Sequence, residues 1–150
     1  YINAWSTKFA QESHQHELIR DVCLDALERS NLKAKDIKLL NNGAHYADMN
    51  DSLSGKDSVF NDTGPDFQLP VLSMKPMVGE THGAAGALHV VVAVRAFQER
   101  MLPPFCKDDN IQFPPYMRFR KHSEPWTPGP VLILEKDPLG WASALIITPS

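Results

Sequence analysis

The sequence predicts an α/β fold in which a mixed sheet is covered by helices. Three observations carry this. A strand-like opening is followed by a helix with a single apolar face, short apolar segments then alternate with helical ones, and two β-branched runs near the C-terminus flank a turn sequence. Tyr1 to Lys8 alternates as a strand does, and Ser13 is placed to cap the helix that follows, His16 to Leu32. On that helix Leu18, Ile19, Val22, Cys23, Ala26 and Leu27 recur at helical spacing, with Glu17, Arg20, Asp21, Glu28 and Arg29 opposite. It therefore covers a sheet with one face.

Ile37 to Asn41 is a short strand, Asp51 to Asn61 a helix anchored by Leu53, Val59 and Phe60, and Leu69 to Ser73 a further strand leading into a glycine-rich turn. From Gly83 to Glu99 the chain is apolar nearly all round. Its β-branched content suits a strand, but its length and glycine-rich start favour a helix buried on every side. Beyond Leu102 come 9 of the 12 prolines, and these residues are expected to cover the core as irregular segments. Val131 to Glu135 and Ala142 to Thr148 then read as an antiparallel hairpin, with Asp137-Pro138-Leu139-Gly140 supplying turn residues. The sequence has no internal repeat or low-complexity segment.

Composition narrows the function classes. The 150 residues are 43% hydrophobic and 22% charged, which suits one globular domain. A net charge of -3 without a basic cluster argues against nucleic acid as a partner. Two cysteines in no metal or disulfide spacing point to a reducing compartment, and the cytoplasm is the expected location. The longest apolar run, Ala84 to Val94 interrupted by His89, falls well short of the ~20 residues that span a bilayer, so no membrane association is expected.

The most informative stretch is Lys75-Pro76-Met77-Val78-Gly79-Glu80-Thr81-His82-Gly83-Ala84-Ala85-Gly86-Ala87. It resembles the second histidine motif of β-ketoacyl synthases, Lys-Ser-x-x-Gly-His-Thr-x-Gly-Ala-Ala-Gly, with Glu80 where the histidine stands. The family's first histidine is approached by a strand reading Asp-Ile-Asp-Tyr-Ile-Asn-Ala-His, with an aspartate eight residues further on. Asp36-Ile37-Lys38-Leu39-Leu40-Asn41-Asn42-Gly43 resembles that strand without a gap, and Asp51 lies eight residues past Gly43. Glycine thus occupies the first histidine position. His45 and His82 are each two residues out of register. Weaker likenesses extend along the chain: Tyr1 to Phe9 to the strand opening the second half of a ketosynthase, His16 to Leu32 to its amphipathic helix, and Met101-Leu102-Pro103-Pro104 to a Val-Val-Pro-Pro phrase. Where the family carries Ser-Phe-Gly-Phe-Gly-Gly-Thr-Asn, this chain reads Glu135-Lys136-Asp137-Pro138-Leu139-Gly140-Trp141-Ala142.

The resemblance implies the C-terminal half of a thiolase-like fold, with an N-terminal half absent from this chain. The opening residue, Tyr1 rather than methionine, accords with a fragment or one product of a split protein. It also implies what has been lost. In this family a cysteine nucleophile holds the acyl chain while two histidines stabilise negative charge on the malonyl thioester oxygen. Gly43 has no side-chain donor, and a carboxylate at position 80 would oppose the charge that develops. Losing one such donor typically costs ~10²–10³ in rate. The family's nucleophile lies in its first half. Cys23 reads as a small core residue, and Cys106 has no neighbour to activate it.

Other residues carry competing assignments. Lys75 matches a lysine that supports the family's active site, and an exposed lysine at a strand end would look the same. Gly79, Gly83 and Gly86 match neither phosphate-binding pattern and are better suited to close packing at a helix start. His45, Glu80 and His82 are of metal-ligand type but lack a fourth partner, so no metal or other cofactor is expected. The run Tyr116, Arg118, Phe119, Arg120, Lys121 and His122 suits contact with an acidic acyl carrier protein or, more simply, a solvated strand edge.

Three functions are compatible with these residues. The first is a non-catalytic ketosynthase-like subunit, similar to the chain-length factors of type II polyketide systems. Such a subunit pairs with an active ketosynthase and a complementary N-terminal half, and shapes the acyl tunnel through Leu88, Val91 and Val92. The second is an enzyme of altered chemistry with Glu80 as acid or base, assisted by His82 or His45. The third is an inactive fragment. Retained glycines beside lost histidines favour the first.

Overall fold

The computed structural model describes residues 1–9, 15–43, 53, 58–79, 81, 84–105, 113–137 and 139–150. The chain opens with strand β1 (Ile2–Phe9), followed by helix α1 (Gln15–Ser30). The six apolar residues expected on the inner side of α1 are all buried. The helix ends at Asn31, which adopts the left-handed conformation (φ 56°) while Leu32 N–H donates to Leu27 O at 3.0 Å.

Strand β2 (Leu39–Asn42) and strand β3 (Leu69–Leu72) follow, both buried along their whole length. The helix expected over Asp51 to Asn61 lies largely outside the described residues, and over Ser58 to Asn61, where the chain is described, it does not form. Leu53 and Phe60 are buried and Val59 packs against the core. Ser58 to Phe60 form a turn that leads into a 3-10 turn at Asn61–Thr63. A single helical turn, α2 (Lys75–Val78), follows β3, and Gly79 closes it at φ 74°, a conformation that favours glycine. Helix α3 (Ala85–Glu99) is the predicted apolar helix.

The proline-rich third is more ordered than its composition predicts. Strand β4 (Met101–Leu102) pairs with β6 (Glu124–Pro125), while β5 (Met117–Arg118) joins the edge of the main sheet beside β3. Arg120 is not on a solvated strand edge. It is 4% exposed, and its guanidinium donates to Val71 O at 3.0 Å and to Pro103 O at 3.3 Å, tying β3 to the proline-rich segment. Burial pulls its pKa down to about 10. The predicted hairpin forms from β7 (Val131–Lys136) and β8 (Trp141–Ile147), closed by Leu139 N–H donating to Asp137 Oδ1 at 2.6 Å.

The main sheet runs β1-β8-β7-β2-β3-β5, antiparallel at the β1-β8-β7 end and parallel from β7 to β5. It is therefore the mixed sheet expected. Directly paired residues share a face of the sheet, which places the two long helices. Ser6, opposite Ala144, donates to Asp25 Oδ2 of α1 at 2.6 Å, so α1 covers that face. Trp5 and Leu145 pair on the other face, as do Ile133 and Leu145, and then Glu135 and Ser143. Glu135 reaches α3, so α3 lies on this second face, over β7 and β2.

The coverage of that second face is partial. Over β1 and β8 it leaves Trp5, Phe9 and Trp141 exposed, with the Phe9 and Trp141 rings 5.1 Å apart. The expectation that α3 is buried on every side fails for the same reason: Val91 is 57% and Val94 40% exposed.

Candidate functional site

Three adjacent parallel strands, in the order β7-β2-β3, end on the same side of the sheet, the usual position of sites in α/β folds. Gly43 directly follows β2, Met74 lies just past β3, and Glu135 is the penultimate residue of β7. Gly43 N–H donates to Leu134 O at 2.7 Å, which holds the end of β2 alongside the end of β7.

That juxtaposition makes a site the sequence analysis did not name. The Glu135 carboxylate lies against the α-carbon of Gly43, in the space that any side chain at position 43 would occupy. Its Cγ is 3.6 Å from where a β-carbon on Gly86 would lie, in the first turn of α3, where the helix dipole favours an anion. The carboxylate is held by His89 Nδ1. Met74 N–H donates to the other ring nitrogen, Nε2, at 3.2 Å, so Nδ1 carries the proton and donates it to Glu135. Asn41 Nδ2 donates at 2.8 Å to the carbonyl of His89, fixing α3 to β2 at this level. His89 is 1% exposed with both ring nitrogens engaged, whereas the Glu135 side chain is 25% exposed. The imidazole is thus a positioning group, and the carboxylate is the group that a bound molecule can meet.

The residues singled out from the sequence fall into two groups. Gly43 is buried and directly follows β2. Lys75 is half-buried at the start of α2. Leu88 and Val92 are half-buried, with Val92 packed against the core, while Val91 faces outward. Glu80, His82, His45, Asp51, Cys106 and Ser13 lie outside the described residues. Cys23 is wholly buried, and desolvation pushes its thiol up to about 12, which suits a core residue. Among the described residues no group of three His, Cys, Asp or Glu could hold a metal ion, and no helix is long and apolar enough to cross a membrane.

Sequence signals for the missed pair existed. His89 is the one polar residue inside the run from Ala84 to Val94, and Glu135 ends the apolar run Val131 to Leu134. Each is a polar group set in an apolar stretch, where a partner is needed to offset its loss of water. Only the parallel pairing of β2 with β7 brings them together with Gly43.

A concavity of about 720 Å³ lies toward the other end of α3. Val94, Phe97, Arg100 and Pro128 line it together with the paired ends of β1 and β8. It is a groove on the partly covered face of the sheet.

Comparison with known proteins places this geometry. Residues 4–108 match the β-ketoacyl synthase C-terminal domain. No curated protein sequence is significantly similar to the chain. Among solved structures, the oxazolomycin ketosynthase domain OzmH KS8 of Streptomyces albus JA3453 superposes with a TM-score of 0.82 at 18% identity, over 99% of this chain and 44% of that one. The ketosynthase from module 6 of the bacillaene synthase of Bacillus subtilis 168 gives 0.78 at 15% identity, over 99% of this chain and 30% of that one. Ketosynthase twelve of the bacillaene polyketide synthase of Bacillus amyloliquefaciens gives the same TM-score, identity and coverage. The chain thus spans less than half the length of these structures. With the family matched over more than half of the chain and the fold shared throughout, the protein belongs to the β-ketoacyl synthase family as a C-terminal domain of thiolase-like fold.

Proposed function

We propose that this domain is a non-catalytic ketosynthase-like subunit. On this proposal it completes a thiolase-like fold with a complementary N-terminal half, pairs with an active ketosynthase, and shapes the tunnel that holds the acyl chain in polyketide or related biosynthesis. The observation that carries the reading is the filling of position 43. The family's first histidine would project from this point, yet there is no side chain here and its space holds the Glu135 carboxylate. An oxyanion needs hydrogen-bond donors, and a carboxylate offers only acceptors.

The uncovered apolar surface supports the partner half of the proposal. Val91 and Val94 on α3, with Trp5, Phe9 and Trp141 on the same face of the sheet, expose more large apolar side chains together than a lone domain ordinarily leaves in water. Cys23, wholly buried with its thiol pushed up to about 12, is not proposed as the nucleophile. Leu88, Val91 and Val92 are the residues through which this domain would set tunnel length, Val91 being the most exposed of the three.

Native mass spectrometry followed by denaturing mass spectrometry of the same particle tests the proposal. The expected result is this chain together with the half that carries the cysteine and with an active ketosynthase. A lone, stable monomer that condenses malonyl thioesters by itself would overturn it.

A further inference from the structure

We propose that Glu135 makes this site selective for neutral acyl thioesters and against those that end in a carboxylate. The inference rests on the tunnel function proposed above and adds the substrate class to it.

Three features of the site lead there. The carboxylate is fixed: His89 Nδ1–H holds it, and the imidazole cannot turn away because Met74 N–H holds Nε2 and the ring is enclosed. The Glu135 side chain also keeps a quarter of its surface open, whereas the His89 ring that orients it is buried. Finally, it sits at the position-43 side-chain space, at the carboxyl ends of β2 and β7, so a thioester acyl group placed at this point would lie beside it. A neutral alkyl or β-hydroxyalkyl group meets no charge penalty there, and a hydroxyl finds an acceptor. A malonyl-type group brings a second carboxylate to within a few ångströms of the first. At the effective dielectric of a half-buried site, that repulsion weakens binding by about ten- to a hundred-fold. The site thus discriminates by like charge, without a steric gate.

The test uses the assembled particle and two pantetheine thioesters of nearly equal size, butyryl- and malonyl-pantetheine, titrated calorimetrically into the wild-type protein and into Glu135→Gln. The amide oxygen of glutamine still accepts from His89 Nδ1–H, so the variant keeps the geometry and loses only the charge. The expected result is that Glu135→Gln raises the affinity for malonyl-pantetheine about ten-fold or more and leaves that for butyryl-pantetheine within about two-fold. Any site on a partner subunit is common to both particles and cancels in the comparison. Equal gains for both thioesters, or no gain for either, would overturn the charge selectivity while leaving the subunit proposal intact. Equal affinity of the wild-type protein for both would do the same even if the variant failed to assemble. Failure of both probes to bind either particle would remove the acyl tunnel itself, and the selectivity with it.

Discussion

Gly43 and Glu135 form a coupled pair, because one has no side chain and the other fills the space that results. Gly43→Ala is expected to cost about 1–3 kcal/mol by overpacking, measured by urea denaturation of the folded domain. In a Glu135→Ala background the same change should cost much less, with a coupling of about 0.5–3 kcal/mol in the double-mutant cycle. Additive costs would mean that the two residues do not share this space. By the same reasoning, putting histidine back at position 43 alone does not restore the family's donor, since the carboxylate must leave first. Cys23 gives a second prediction at this scale. Below pH 9 both the folded and the unfolded chain keep its thiol proton. Above pH 9 the unfolded chain releases it, while the folded one holds it to about 12. Stability should therefore fall by about 1.4 kcal/mol per pH unit from pH 9 upward, and Cys23→Ala should abolish that slope. The window from pH 9 to 10 is the cleanest. Above it Tyr116, pushed by burial to about 12, adds a loss of the same sign, and Arg120, pulled down to about 10, contributes the opposite sign.

At the scale of elements, α3 has two sides with separate duties. Ala85, His89, Ala93 and Ala96 face inward, and Val91 and Val94 face out. Val91→Arg should leave the domain's own stability within about 0.5 kcal/mol, as an exposed position does, yet abolish its co-purification with the complementary half. Retained co-purification would show that this side of α3 is not the contact. The elements themselves were largely legible. Apolar residues at helical spacing identified α1, length and a glycine-rich start identified α3, and β-branched runs around a turn sequence identified β7 and β8. Less legible was whatever depends on distant partners. Strand β5 is two residues long and exists because β3 offers it a parallel edge. Arg120 looked solvated because the carbonyls that bury it, on Val71 and Pro103, are far away in sequence. The position-43 site was half legible. Its empty place could be read from the strand leading to Gly43, but its new occupant could not, since 46 residues separate His89 from Glu135 and only the sheet register joins them.

For the molecule as a whole, the two faces of the sheet differ in how completely they are covered. Alpha-helix α1 closes one face over β1 and β8, whereas α3 leaves these same strands open on the other. Sedimentation velocity of the isolated domain should show concentration-dependent self-association, weakened by Trp5→Lys and Trp141→Lys together; a monomer at all concentrations would mean that the open face tolerates water. The sheet order has a kinetic consequence as well. Among the described residues β1 pairs only with β8, so it waits for a strand more than 130 residues further along the chain: Trp5 meets Leu145, and Phe9 meets Trp141. Until residues 141–147 are in place, β1 lacks this pairing, while the β7-β8 hairpin can form from its own local sequence. Contacts this distant in sequence slow folding. The hairpin should therefore be the nucleus on which the opening segment docks late, and β1 amides should gain hydrogen-exchange protection after those of β7.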